Sequence, residues 1–577
     1  MRPAARPGKI PAHLPVPNRS VVHEGRGWLR VSLPCPDWLH VTLADEGLKI
    51  PERSPRFMSK TDAPQPIQRP GHPKTAPFEL PPPRWPLAIV AACYIASRSL
   101  FWGLGVRFAS GEVESFWQFL DTRLLAHQLW LSILYLHSQP PLMNLYYGIL
   151  IQLFPTHWPA ATYGVNLSLG LLAYMAAYSI MVAHKVAVPV ALGVVLIAMS
   201  NPSAAIFEAE PFYTHTVFCL VIFSAYLFDI YLMRPGIGLA TAFLGVLATL
   251  ALYRASYQLV WYVLSALWLI KISPRNLARR VLSLALLFGA MIGGLYLKND
   301  ILFGFFNSSS GSGMSLAKSW AGTSETKALV RAKELSPISG IPAPNSIDKY
   351  RSVLGPSPRT SVEAVASEFK DNGTMNLNNI GYVEVTRLYT RDYLRLAKLR
   401  PKTIARQMAI GWLDFFRPAS AWIEWFDPGN QSAVEALDRP YTAVFCWGAK
   451  WPLNFALPLD GGNSPKRTLR LRLRSESWET VALYALFAVF LFFLPFQRWI
   501  AAEDGSGRQL LLFLIANIAY SAILCSSVEI GENMRYRYET QGLVLIAATI
   551  VGSRILRASF DRLFPPSGTP SGRGMSF

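Results

Sequence analysis

Three carboxylates, Glu112, Glu114 and Asp121, precede an amphipathic stretch, TRLLAHQLWLSIL, and a His-Ser-Gln-Pro-Pro-Leu element, His137 to Leu142, follows it. Asp121 has the residue type and position of an N-cap for that stretch. The proline pair fixes the backbone at a helix start, where missing amide donors cost little. The unpaired N–H groups of that first turn would favour a nearby phosphate. Further along, Glu208 and Glu210 make a second acidic turn, Arg254 stands between two apolar runs, and ENMRYRYE carries Arg535 and Arg537. A guanidinium binds phosphate bidentately, although arginine at a membrane edge also snorkels. Arg254, in apolar surroundings, requires a partner, and a phosphate or Glu208 would serve. His127 and His215 are lone histidines at helical positions and read as packing or hydrogen-bonding residues.

The elements that must position these groups are membrane spans. The chain has 577 residues, 51% hydrophobic and 16% charged, against about 25% charged for a soluble globular chain. Apolar runs long enough to cross a bilayer as helices fall at 85–104, 160–183, 187–206, 211–232, 236–253, 256–272, 281–297, 478–496, 509–528 and 541–556. The expected fold is therefore an all-α polytopic membrane protein of about ten transmembrane helices. Residues 1–84, rich in Pro, Arg and Lys, read as a disordered basic tail, within which Met58 opens a plausible shorter start. Five scattered cysteines suggest neither a disulfide framework nor a zinc site.

The net charge of +19 does not point to nucleic acid, because the basic residues cluster in the tails and short loops between apolar runs. Their placement fixes an orientation. If 141–155 is a juxtamembrane helix and not a span, then Lys185, Arg234, Lys271, Arg275, Arg279, Arg280, Arg498, Arg508, Arg554 and Arg557 all share the side of the N-terminal tail. Both termini are then cytoplasmic. Facing outward are 105–159, the turns at Glu208/Glu210 and Arg254, the segment 298–477, and 529–540. The parts are thus a tail at 1–84, a first module of spans at 85–297, a large outer segment at 298–477, closing helices at 478–556 and a short tail at 557–577. Within the large segment, amphipathic patterns at 379–399 and 401–416, and aromatics from Trp412 to Phe426, suggest contact with headgroups.

An outer loop with an acidic residue, then an H/K-x-PPL element and an interfacial helix, resembles the GT-C glycosyltransferases of the protein O-mannosyltransferase and aminoarabinose-transferase type. NPSAAIFEAEPFYTH is similar to the second acidic turn of that superfamily, and ENMRYRYE to its basic turn before a late helix. The resemblance covers about residues 85–300 by arrangement, plus that C-terminal turn. The chain also looks like a group of uncharacterised bacterial membrane proteins that share LHSQPPLMNL, YLKNDILFG and SSSGSGMSLA. It departs from the superfamily in lacking an Asp-Glu pair at the first acidic motif and in carrying Gln139 where Lys is common.

The resemblance implies a sugar donor on a polyprenyl phosphate in the inner (plasma) membrane, an envelope acceptor, and inverting transfer at the periplasmic or extracellular face. It makes Asp121, with Glu114 behind it, the base for the acceptor hydroxyl. His137, Gln139, Arg254, Arg535 and Arg537 become ligands for phosphate or sugar. Glu208 and Glu210 become candidates for holding a divalent cation or orienting the acceptor. The sequence has no Walker loop, dinucleotide fingerprint or GxSxG, which argues against nucleotide-driven chemistry. A transporter or flippase, or a scaffold without activity, are the competing classes.

Overall fold

A computed structural model describes residues 85–415, 429–430, 432–434, 437, 441, 453–458, 468–473, 505–528 and 532–563. The expected span at 478–496, Arg498 and most of the aromatic run after Trp412 lie outside the described residues, as does the N-terminal tail. The described chain is helical, apart from an antiparallel pair of strands, Leu453–Pro458 with Thr468–Leu473. Among the described residues, six helices are long and apolar enough to cross a membrane: Trp85–Gly103, Trp158–Ala183, Tyr213–Met233, Arg275–Phe303, Gly505–Val528 and Asn533–Asp561. Two shorter apolar helices, Ile237–Tyr253 and Leu259–Ile272, accompany them. This is the architecture of a polytopic helical membrane protein.

The run expected as one span over 187–206 is two helices, Val188–Met199 and Pro202–Ala209, bent by 57°. The cause is local. Asn201 caps the second helix by accepting from the Ser203 N–H at 2.9 Å, and Pro202 at its first position has no amide to continue the first. The stretch TRLLAHQLWLSIL is also broken, into Thr122–His127 and Leu129–Leu134, at the non-helical Gln128. The PPL element opens a 13-residue helix, Pro141–Leu153, half the length of the 26-residue Trp158–Ala183 helix after it.

Alternation of the helices sorts their connections onto two ends of the bundle. At one end lie Lys185, Arg234, Lys271, Arg275, Arg508, Arg554 and Arg557; the guanidinium of Arg557 donates to the Lys185 carbonyl at 2.7 Å, which ties two of these turns together. At the other end lie the loop 104–157, the Glu208/Glu210 turn, Arg254, and the start of the last helix. Small residues permit the close approaches that spanning helices need where no hydrophobic drive separates them from lipid. At Gly542 a side chain would meet Ile222 Cδ1 at 2.4 Å, so the Tyr213–Met233 and Asn533–Leu563 helices pack almost backbone to side chain.

The chain from Gly304 to Leu399 forms a second hydrophobic core of its own, around Trp320, Tyr350, Tyr382, Tyr389 and Leu396. Gly304, in the left-handed region at φ 72°, ends the long Arg275–Phe303 helix. The helix Gly311–Ala317 lies against Gly381–Leu399 so tightly that a Cβ on Gly313 would stand 2.1 Å from the Thr386 carbonyl oxygen. The next helix, Pro401–Phe415, packs on Gly505–Val528 and Asn533–Leu563, and its last residue, Phe415, is fully buried in the bundle core.

Candidate functional site

A small cleft opens between the first loop and the second core, lined by Trp117, Gln118, Ser138, Gln139, Ser310 and Lys318 among others. Its walls are backbone held by buried amides. Asn144 accepts from the Leu120 N–H at 2.8 Å and donates to the Gln118 carbonyl at 3.1 Å. Asn378 accepts from the N–H groups of His137 and Ser138 and donates to the Tyr135 and Ala364 carbonyls. Ser309 Oγ donates to the Ser138 carbonyl at 2.5 Å. A buried polar group without partners is costly; here each amide is satisfied by the loop it fixes.

His137 itself is fully buried, with Nδ1 2.8 Å from Ser310 Oγ and its ring against Phe303. Burial, reinforced by the charge of Lys298, pushes its pKa down to about 3. It is a neutral anchor of the cleft wall. Its neighbours Ser138 and Gln139 are the residues of the HSQPPL element that line the cleft.

From the cleft a chain of charges runs into the bundle. Lys318 Nζ lies 3.2 Å from Glu532 Oε1, and Glu532 Oε2 lies 2.5 Å from Arg535. The Arg535 guanidinium sits 4.2 Å above the Phe212 ring and 5.1 Å from that of Tyr213. The guanidinium of Arg254 also lies over the Tyr213 ring, at 4.0 Å, pairs with Glu539 and stacks on Tyr536 at 4.2 Å. Two guanidiniums thus share the rings of Tyr213 and Tyr536, each with its own carboxylate. Burial acts to raise the Glu532 carboxyl, but Arg535 and Lys318 outweigh it and hold it well below the usual range.

The other expected residues fall as follows. Asp121 caps Thr122–His127: one oxygen accepts from the Arg123 N–H and the other from the Asp371 N–H, both at 2.8 Å. Glu114, exposed, accepts from the Thr122 hydroxyl at 3.0 Å. Both belong to the loop whose Trp117 and Gln118 line the cleft. Lys370 stitches that loop to the second core by donating to the Glu114 and Phe116 carbonyls, and burial lowers its pKa to about 8. Arg254 takes Glu539 as its partner, not Glu208. Glu208 instead forms a bidentate pair with Arg98, 2.5 Å on each arm. Glu210 and Arg537 are fully buried in the same end of the bundle. Among the described residues no three His, Cys, Asp or Glu side chains converge as a metal site requires.

Four participants escaped the reading of the sequence. Arg98 was readable, since a charge inside an apolar run demands a partner. Glu532 and Glu539 lie in ENMRYRYE, read as a basic turn, and nothing local marks them as the partners of Arg535 and Arg254. Lys318, in SGSGMSLAKSW, carries no signal, because only the packing of the second core brings it to the cleft.

These features define a class, that of polytopic helical membrane proteins with a cleft of mixed polar and apolar lining and a buried line of charges at one end. Compared with protein-family models, curated proteins and solved structures, the chain matches none.

Proposed function

We propose that the chain is a membrane glycosyltransferase that moves a sugar from a polyprenyl-phosphate donor to an acceptor of the cell envelope, with the cleft on the outer face of the plasma membrane. The observation that carries this reading is the line Lys318–Glu532–Arg535, which joins the cleft to the buried guanidiniums at one end of the apolar bundle. A lipid-borne phosphate needs cations at the level where spans end, and a sugar needs hydroxyl and amide groups beside them. Concentration of Lys185, Lys271, Arg275, Arg508 and Arg557 at the opposite end supports the orientation.

In the reaction, the acceptor oxygen bonds to the anomeric carbon as the bond to phosphate breaks. Lys318 and Arg535 take up the charge of the departing polyprenyl phosphate, while Gln139 and Gln118 hold sugar hydroxyls. The proton passes to a carboxylate of the wall loop, Asp121 or Glu114. A transporter has less support: the buried pairs Arg98–Glu208 and His184–Asp229 lie within about two turns of helix ends, and the alternating pathway of a carrier calls for charges at mid-span.

The test is incubation of purified protein with a polyprenyl-phosphate-linked sugar and envelope acceptor, with release of free polyprenyl phosphate measured by mass spectrometry. Release that falls at least tenfold in Arg535→Gln supports the reading. An unaltered envelope glycan profile in cells lacking the protein overturns it.

A further inference from the structure

Between Asp392 and Asp414 the chain carries no acidic residue, but it carries Arg395, Lys398, Arg400, Lys402 and Arg406, all exposed. They continue a row of exposed arginines at helical spacing, Arg387 and Arg391, across the break at Arg400–Pro401. Arg387 is paired with Glu384, Arg391 with Asp392 and Arg400 with Glu325. Among the described residues, no carboxylate lies within ion-pairing distance of Arg395, Lys398, Lys402 or Arg406. Side chains of another kind interrupt the row: Leu394 is 60% exposed, and Leu399 and Met408 are exposed beside it.

The level of this patch is fixed by one contact. The Tyr393 hydroxyl donates to the Ser527 carbonyl at 3.4 Å, one residue before the end of the Gly505–Val528 span. Residues from 394 onward therefore start beside the end of that span. The following helix then leads from Lys402 and Arg406 to Trp412, which packs against the bundle core, and Phe415, which is buried in it. Cations interleaved with exposed apolar side chains, at the height of a span's end, form the pattern of a segment lying in the headgroup region.

We propose that Arg395, Lys398, Lys402 and Arg406 bind the headgroup phosphates of anionic phospholipids in the leaflet that borders the cleft, with Leu394, Leu399 and Met408 entering between the lipids. The contact has a route to the cleft: Gln407 donates to the Ser319 carbonyl at 3.3 Å and accepts from its hydroxyl at 3.1 Å, and Ser319 follows Lys318. The proposal depends on the membrane character of the bundle and stands whether or not the chain transfers sugars.

The experiment places the full chain in nanodiscs of phosphatidylcholine with a minor fraction of phosphatidylglycerol. Retained phosphatidylglycerol is counted by mass spectrometry after gentle extraction. The expected result is enrichment over the bulk fraction that falls at least threefold in the variant Arg395→Gln, Lys398→Gln, Lys402→Gln, Arg406→Gln, and that weakens with salt. Enrichment should survive in Arg395→Lys with Arg406→Lys, which keeps the charge and guards against a folding defect in the neutral variant. Equal enrichment in the neutral variant overturns the proposal. So does loss of enrichment on addition of glycerol phosphate at millimolar concentration, which would identify a site for a free phosphate and not a lipid surface.

Discussion

Arg98 and Glu208, 110 residues apart in the chain, meet as a bidentate ion pair with both arms at 2.5 Å, buried inside the bundle. The pair locks the short helix Pro202–Ala209 onto the first span and so sets where the Glu208/Glu210 turn lies. Breaking such a pair from one side leaves a bare charge. Arg98→Ala should therefore destabilise the fold by about 3–5 kcal/mol, read as a lower unfolding midpoint in detergent. Arg98→Met combined with Glu208→Leu should recover most of the loss, since it leaves no charge behind.

Arg535 shares Tyr213 and Tyr536 with Arg254 and holds Glu532 by one short contact. A lysine keeps the charge but not the planar stack. Arg535→Lys should cut donor-dependent turnover by about tenfold or more, equivalent to about 1.4 kcal/mol, with the unfolding midpoint nearly unchanged. A fall in turnover matched by a collapsed midpoint would make the residue structural only.

Asp121 has two roles that one substitution separates. Asparagine is as good an N-cap as aspartate, so Asp121→Asn should keep Thr122–His127 in place, at a cost of about 1–2 kcal/mol for the Asp371 N–H bond that the amide nitrogen does not accept. As the proposed base it should lose nearly all transfer. Full transfer by Asp121→Asn would pass the role to Glu114, which the same assay on Glu114→Gln would check.

The buried His137 has a folded pKa near 3 against 6.5 when free. The sign follows from proton uptake: below pH 6.5 the unfolded chain binds a proton that the folded chain refuses, so this group's contribution is fully present above 6.5 and is lost as pH falls towards 3. Stability should drop by up to about 1.4 kcal/mol per pH unit from this one group. His137→Gln should flatten the dependence between pH 6 and 4 by about one proton, measured by chemical unfolding across that range.

Gly313 lets the Gly311–Ala317 helix touch the Thr386 backbone. Gly313→Ala must move one of the two helices and should cost about 1–3 kcal/mol. Limited proteolysis should then cut first between residues 304 and 399, because that core is separate from the bundle's, while the spans stay intact.

The sequence by itself determined the membrane class, most span boundaries and the segregation of basic turns to one end, because hydropathy and charge are properties of short segments that the bilayer sorts directly. It also marked Asp121 as a cap and the HSQPPL element as a helix start. Only tertiary structure decided who pairs with whom. Arg254 chose Glu539, Glu208 chose Arg98, and Lys318 reached Glu532, since pairing across a hundred residues or more depends on how helices pack and no local pattern encodes it. The break at Asn201–Pro202 was written in the sequence, but apolar residues on both sides hid it. The cleft exists because buried Asn144 and Asn378 clamp separate loops, and their partners are backbone groups that carry no sequence signature at all.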